Sequence, residues 1–133
     1  MNGPLFQKVD CVMFRVENLD EALAFYAAAL GHQLVWRTSE AAGLSMPGTD
    51  AEIVLHTRQG PEVDMLVNCV EDSFERFVAA GGEPIAPPFD ILIGRCAVVR
   101  DPFGNALVML DQTKGAFATD ADRRVVGVDK PEA

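Results

Sequence analysis

The apolar and polar positions of the chain fall into two successions with the same order. Val9 to Val16 alternates, with Val12, Phe14 and Val16 on one side and Cys11, Met13 and Arg15 on the other, which predicts a half-buried strand. Leu19, Ala22, Leu23, Tyr26 and Leu30 then recur at helical spacing. Asn18 is placed as the N-cap with Glu21 as its capping-box partner, and Gly31 ends the helix in the left-handed conformation. Three short strands follow over His32–Arg37, Gly43–Met46 and Ala51–Thr57, the last two joined by the turn Pro47-Gly48-Thr49-Asp50. After the polar stretch Arg58–Pro61 the order repeats. A strand over Glu62–Asn68 precedes a helix over Val70–Ala80, stopped by Gly81-Gly82. A strand near Glu83–Ala86, a Pro-rich loop Pro87–Asp90, and strands Gly94–Arg100 and Ala106–Asp111 around the turn Asp101–Asn105 complete it. From Thr113 the chain is mostly polar and reads as an arm or loose tail, with a weak extra strand over Arg124–Val128.

This order predicts an α+β fold of two tandem βαβββ modules within one domain spanning 1–133. Module one covers about 8–57, the linker 58–61, module two about 62–112 and the tail 113–133. One helix covers one face of a sheet. The helices are therefore expected on the outer faces, and the opposite faces of the curved mixed sheets are expected to enclose a shared cleft, a common place for a small molecule. Parity puts Cys11, Met13 and Arg15 on the cleft side of the first strand, and Glu62, Asp64 and Leu66 on that of its counterpart. Trp36, Arg37, Phe89, Asp90 and Arg95 are expected at the mouth, and His56 near a strand end beside it. Glu62 is the candidate general base of a dry cleft; alternatively it, or Asp64, pairs with Arg15 across the floor. Cys11 beside a guanidinium is a candidate nucleophile, or else a small buried apolar residue.

Charge narrows the partners. The 133 residues carry 20 acidic and 11 basic side chains, a formal net charge of -9. Such a surface disfavours nucleic acid and anionic membranes as partners and suits a basic ligand. No run approaches the roughly 18 apolar residues of a membrane span, and the N-terminus shows no basic-then-apolar leader, so a cytoplasmic location is expected. The three cysteines are odd in number and form no Cys-x-x-Cys, which reads as reduced thiols. No Ser-His-Asp set is recognisable, and Gly81-Gly82 ends a helix where a phosphate loop would begin one.

Two stretches carry a resemblance. Val16-Glu17-Asn18-Leu19-Asp20-Glu21-Ala22-Leu23-Ala24-Phe25-Tyr26, ending in Leu30-Gly31, lies in the first repeat. Asp101-Pro102-Phe103-Gly104-Asn105, followed by an apolar strand, lies in the second. Together they resemble the vicinal oxygen chelate superfamily of glyoxalase I, extradiol dioxygenases, fosfomycin-resistance enzymes and bleomycin-resistance proteins, over about residues 8–112. The resemblance implies homodimers and, in the enzymes, a divalent metal held by His, Glu or Gln from the first and last strands of each module. On this chain those slots fall on Cys11, on Ile53 or Val54, on Glu62 and on Val108. Two are apolar, and Cys11 with Glu62 mixes a soft and a hard donor. The resemblance thus implies a degenerate metal site and no cofactor; were a metal held, His56 and Glu62 would be its ligands. The function expected is a glyoxalase/bleomycin-resistance-like protein binding a small organic molecule in a cleft lined by Cys11, Met13, Arg15, Trp36, His56, Asp64, Phe89 and Val108. The alternatives are a metal-dependent lyase or dioxygenase with an atypical ligand set, and an interaction or sensor module.

Overall fold

The computed structural model describes residues 3–131; Met1 and Asn2, within the stretch read for a leader, and residues 132–133 lie outside the described residues. Contacts divide the chain into two units. One holds Asp10–Val63 with Ala118–Gly127, the other Asp64–Phe117 with the stretches before Asp10 and from Val128.

In the first unit β1 (Lys8–Arg15) leads into helix α1 (Leu19–Leu23), then β2 (Leu34–Arg37), β3 (Ala41–Met46) and β4 (Thr49–His56). The sheet order is β2-β3-β4-β1, with β4 and β1 parallel and the other neighbours antiparallel. Asn18 caps α1, its side-chain oxygen accepting from the Glu21 N–H at 2.9 Å. The helix widens into π-helical turns over Ala24–Ala29, where the Leu30 N–H donates to the Phe25 carbonyl five residues back. Gly31, at φ +85, then turns the chain out. Leu19, Ala42, Leu44, Ile53 and Leu55 form the core between helix and sheet, joined by Val16, Leu23 and Tyr26.

The second unit repeats this plan with β5 (Glu62–Leu66), which the division enters at Asp64, then α2 (Val70–Ala79), β6 (Glu83–Ile91), β7 (Gly94–Arg100) and β8 (Ala106–Leu110). Its order is β6-β7-β8-β5, with β8 and β5 parallel. Val67, Val70, Ala97, Val99 and Met109 make its core, against Phe74 and Phe77. Asp111 ties the helix to the sheet: it accepts from the Val70 N–H (2.8 Å), the Arg95 N–H (2.9 Å) and the Thr113 hydroxyl (2.8 Å). The turn after β7 is organised by Asp101, which accepts from the Phe103 and Asn105 N–H groups at 2.8 and 2.9 Å. The stretch Pro87–Asp90, expected as a loop, is part of β6. An edge strand tolerates prolines, and the register with β7 shifts on either side of Ala86 to accommodate them.

The region after Thr113 departs from expectation in part. The extra strand expected over Arg124–Val128 is present as β10 (Val125–Asp129), but it pairs with β9 (Ala116–Thr119) in a two-stranded ribbon where polarity suggests a loose tail. The Asp120 carboxylate accepts from the Asp122 and Arg124 N–H groups and holds the turn. Arg123 there adopts φ 66, and its carbonyl accepts from the Arg37 N–H at 2.9 Å, covering the edge of β2. Among the described residues no helix is long and apolar enough to cross a membrane.

Candidate functional site

Register decides which side chains share a face. In the first unit Cys11 pairs with Glu52, Met13 with Val54 and Arg15 with His56, and Val54 pairs in turn with Gly43, which pairs with Trp36. Paired residues project to the same side, so Cys11, Met13, Arg15, Trp36 and His56 occupy one face, opposite the α1 core. Cys11, Met13 and Val54 form a buried cluster at its floor, with Trp36 packed on it. Gly43 lies under the indole: a Cβ there would collide with the indole Nε1, Cε2 and Cδ1 atoms. The indole N–H donates to Glu52 Oε1 at 2.8 Å. Burial pushes the Glu52 carboxyl above the ordinary range, the indole hydrogen bond pulls it back, and the charge of Asp10 pushes it up again. The net direction is upward.

Glu52 is absent from the residues that sequence reasoning selects. The signal lay in the alternation of β4, since Ile53 and Leu55 belong to the α1 core and leave Glu52, Val54 and His56 for the other face.

In the second unit Asp64 pairs with Val108, which pairs with Val98, and Phe89 pairs with Cys96. Asp64, Val108 and Phe89 therefore share the face opposite α2, with Asp64 buried and Phe89 exposed. Glu62 opens β5 on the same side as Asp64 and is half-buried. Among the described residues no ion pair joins Glu62 to Arg15. Asp90 and Arg95 sit on the other face and are committed to an ion-pair network. Arg95 reaches Glu71 of α2 at 2.6 Å and Asp90 at 3.1 Å, and Lys114 reaches Asp90 at 2.9 Å. The Lys114 and Arg95 contacts hold the Asp90 carboxyl below its usual range.

The donors present fit a divalent ion poorly. The parallel pair of the first unit offers a thiol and a carboxyl; in the second, β5 offers the carboxyls of Glu62 and Asp64 and β8 only the apolar Val108. Among the described residues no three His, Cys, Asp or Glu side chains converge. His56 Nδ1 accepts from the Arg58 and Gln59 N–H groups at 3.0 and 3.1 Å, so in the neutral ring Nε2 carries the hydrogen and has no lone pair for a metal. His32 Nδ1 donates to the Ser45 carbonyl at 3.1 Å, which leaves Nε2 with its lone pair, but among the described residues no two further ligating side chains gather with it.

No functionally curated protein matches the chain. Among solved structures it is similar to the NAD-dependent benzaldehyde dehydrogenase from Legionella pneumophila, at 21% identity and TM-score 0.64 over 77% of this chain and 97% of that one. It is similar to methylmalonyl-CoA epimerase from Mycobacterium tuberculosis, at 20% identity and TM-score 0.69 over 84% of this chain and 91% of that one. The Mn(II)-bound glyoxalase from Novosphingobium aromaticivorans gives 16% identity and TM-score 0.60, over 97% of this chain and 42% of that one. Three different activities on one architecture make this a likeness of fold. Residues 8–109 match the profile of one superfamily, and the βαβββ order of both units agrees with it: the chain belongs to the Glyoxalase/Bleomycin resistance protein/Dioxygenase superfamily.

Proposed function

We propose that the chain binds a small organic molecule on the β1–β4–β3–β2 face without a divalent metal. The observation that carries this reading is the Trp36–Glu52 pair, an aromatic plate seated on Gly43 and fixed at its edge by a carboxyl, above an apolar floor of Cys11, Met13 and Val54. Small-molecule sites combine such an apolar surface with a few placed polar groups. Glu52 favours a ligand that presents a hydrogen-bond donor or a cation, in keeping with the net charge of -9. Nucleic acid and anionic membranes have no place in this reading. A homodimer does, supported by the exposed Phe14, Phe25 and Leu30, and sedimentation would show it as a particle of twice the chain mass.

The test begins with elemental analysis of protein purified without added metal or a His-tag. The expected metal content is far below one per chain, unchanged after incubation with Ni, Mn, Fe or Zn and desalting. Trp36 is the only tryptophan, so its emission then reports a screen of basic and aromatic compounds directly. A saturable change is expected, with affinity lowered about tenfold in Glu52→Ala, the size of one charge-assisted hydrogen bond. Stoichiometric metal that survives desalting and is lost in Glu52→Ala or Glu62→Ala would overturn the reading in favour of a metal-dependent lyase or dioxygenase.

A further inference from the structure

Along the parallel pair of β1 and β4, the side chains opposite the α1 core stand in three rows: Cys11 beside Glu52, Met13 beside Val54, and Arg15 beside His56. The first row is acidic. Glu52 Oε1 accepts from the indole N–H at 2.8 Å, and Asp10 lies close enough for its charge to act on the carboxyl. The middle row is apolar, and Trp36 packs on it from across Gly43. The third row offers only donors. His56 Nδ1 accepts from the Arg58 and Gln59 N–H groups, so the neutral ring carries its hydrogen on Nε2, which has no acceptor among the described residues. Arg37, Arg58, Arg95 and Arg100 each meet a carboxylate, whereas Arg15 meets none among the described residues. With 20 acidic side chains in the chain, that is not for want of carboxylates. Four strand residues, each rising about 3.3 Å, set the donor row about 13 Å from the acidic one. The face is thus an apolar strip with opposite charges at its two ends, and those ends do not neutralise each other.

We propose, on the footing that this face binds a small organic molecule, that the molecule is an elongated zwitterion: an ammonium group at one end, a carboxylate at the other, and an apolar spacer that nearly spans the gap between the outer rows. The ammonium donates to Glu52. The spacer lies on Met13 and Val54 against the Trp36 indole. The carboxylate accepts from the His56 Nε2–H and from the Arg15 guanidinium, whose fork of donors matches its two oxygens. A short amino acid cannot touch both outer rows, and a plain alkyl amine leaves the donor row unused. The net charge of -9 by itself would rank ligands by positive charge. Preference for a molecule of no net charge is therefore the mark of Arg15 and His56.

The experiment follows Trp36 emission of the folded chain near neutral pH with four probes: 8-aminooctanoate, octylamine, octanoate and 4-aminobutyrate. In the first, a zigzag of bonds of about 1.5 Å holds the two charges on the order of 10 Å apart. It is expected to bind at least about fivefold more tightly than each of the others, the upper end of what exposed charge contacts give. Arg15→Gln should erase its advantage over octylamine without weakening octylamine itself, and Arg15→Lys should retain most of it. Glu52→Gln should erase the advantage over octanoate. The proposal is overturned if octylamine or 4-aminobutyrate binds as tightly as 8-aminooctanoate, or if the preference survives in Arg15→Gln; in those cases the face still binds a small molecule and only the zwitterion falls. No saturable response to 8-aminooctanoate overturns it too, and small-molecule binding on this face falls with it only where the basic and aromatic compounds are silent as well.

Discussion

Glu52 holds its proton more tightly in the folded chain than it would in an unfolded one, because burial and the charge of Asp10 outweigh the indole hydrogen bond that favours the ion. The sign follows for a raised carboxyl: its contribution to stability is fully present below the ordinary glutamate value of about 4.3 and is lost as pH rises through the folded value. Ionisation then occurs 2.8 Å from the indole nitrogen. Emission of Trp36 is expected to titrate with a midpoint above that ordinary value, and Glu52→Gln should abolish the step while leaving an oxygen for the indole N–H. A step that survives the substitution would assign it elsewhere. Alternation alone makes Cys11, Met13 and Arg15 legible as one face, since a strand pinned by Val12 and Phe14 has no other choice. Glu52 escapes because a one-residue ambiguity in β4 puts the equivalent slot on Ile53 or Val54. Only the pairing of Leu55 with Phe14 and Ala42 settles which residues turn toward the helix.

At the scale of elements, α2 is docked by one carboxylate. Burial acts to raise Asp111, and the N–H groups of Val70 and Arg95 with both Thr113 donors more than reverse it, leaving the group below its usual range. Stability from such a group is present above the ordinary aspartate value and is lost as pH falls through the folded one. Asp111→Ala should therefore cost about 2–3 kcal/mol in urea unfolding near neutral pH, since it removes hydrogen bonds to a charged group and strands the N–H of Val70. The loss should shrink toward acid pH; an unchanged urea midpoint would refute the clamp. Nothing local marks this residue, because an aspartate at the end of a strand reads as a turn former and Val70 lies 41 positions away. The prolines of β6 mislead for the related reason that pairing with β7, and not local preference, makes that segment a strand. Caps and glycines behave otherwise: Asn18 and Gly31 act through neighbours three or four residues away, and both are read correctly.

For the molecule as a whole, the first unit is discontinuous in sequence: Ala118–Gly127 returns from the far end of the chain to complete it. A chain ending at Gln112 would keep the residues matched by the family profile and lose the N–H···O bond from Arg37 to Arg123. Hydrogen exchange in a peptide spanning Leu34–Arg37 is expected to accelerate by at least about tenfold in that truncation, with slower exchange restored when the ribbon is present. Equal protection in both chains would show that the ribbon does not guard β2. The two-module order is legible because it rests on periodicity repeated in each half; of the ribbon only β10 is legible, as the extra strand over Arg124–Val128, whereas four-residue β9 is too short to show an alternation beside its polar neighbours.

The β6 edge is closed by composition instead of by cover. Three of its nine residues, Pro84, Pro87 and Pro88, have no N–H to offer an incoming strand, and the register breaks beside them. A growing fibril adds strands by an unbroken ladder of donors, so this border gives it no template. In a crowded solution this edge is thus guarded against edge-on polymerisation, and two of its three prolines, Pro87 and Pro88, are residues that look, in the sequence, like a loop.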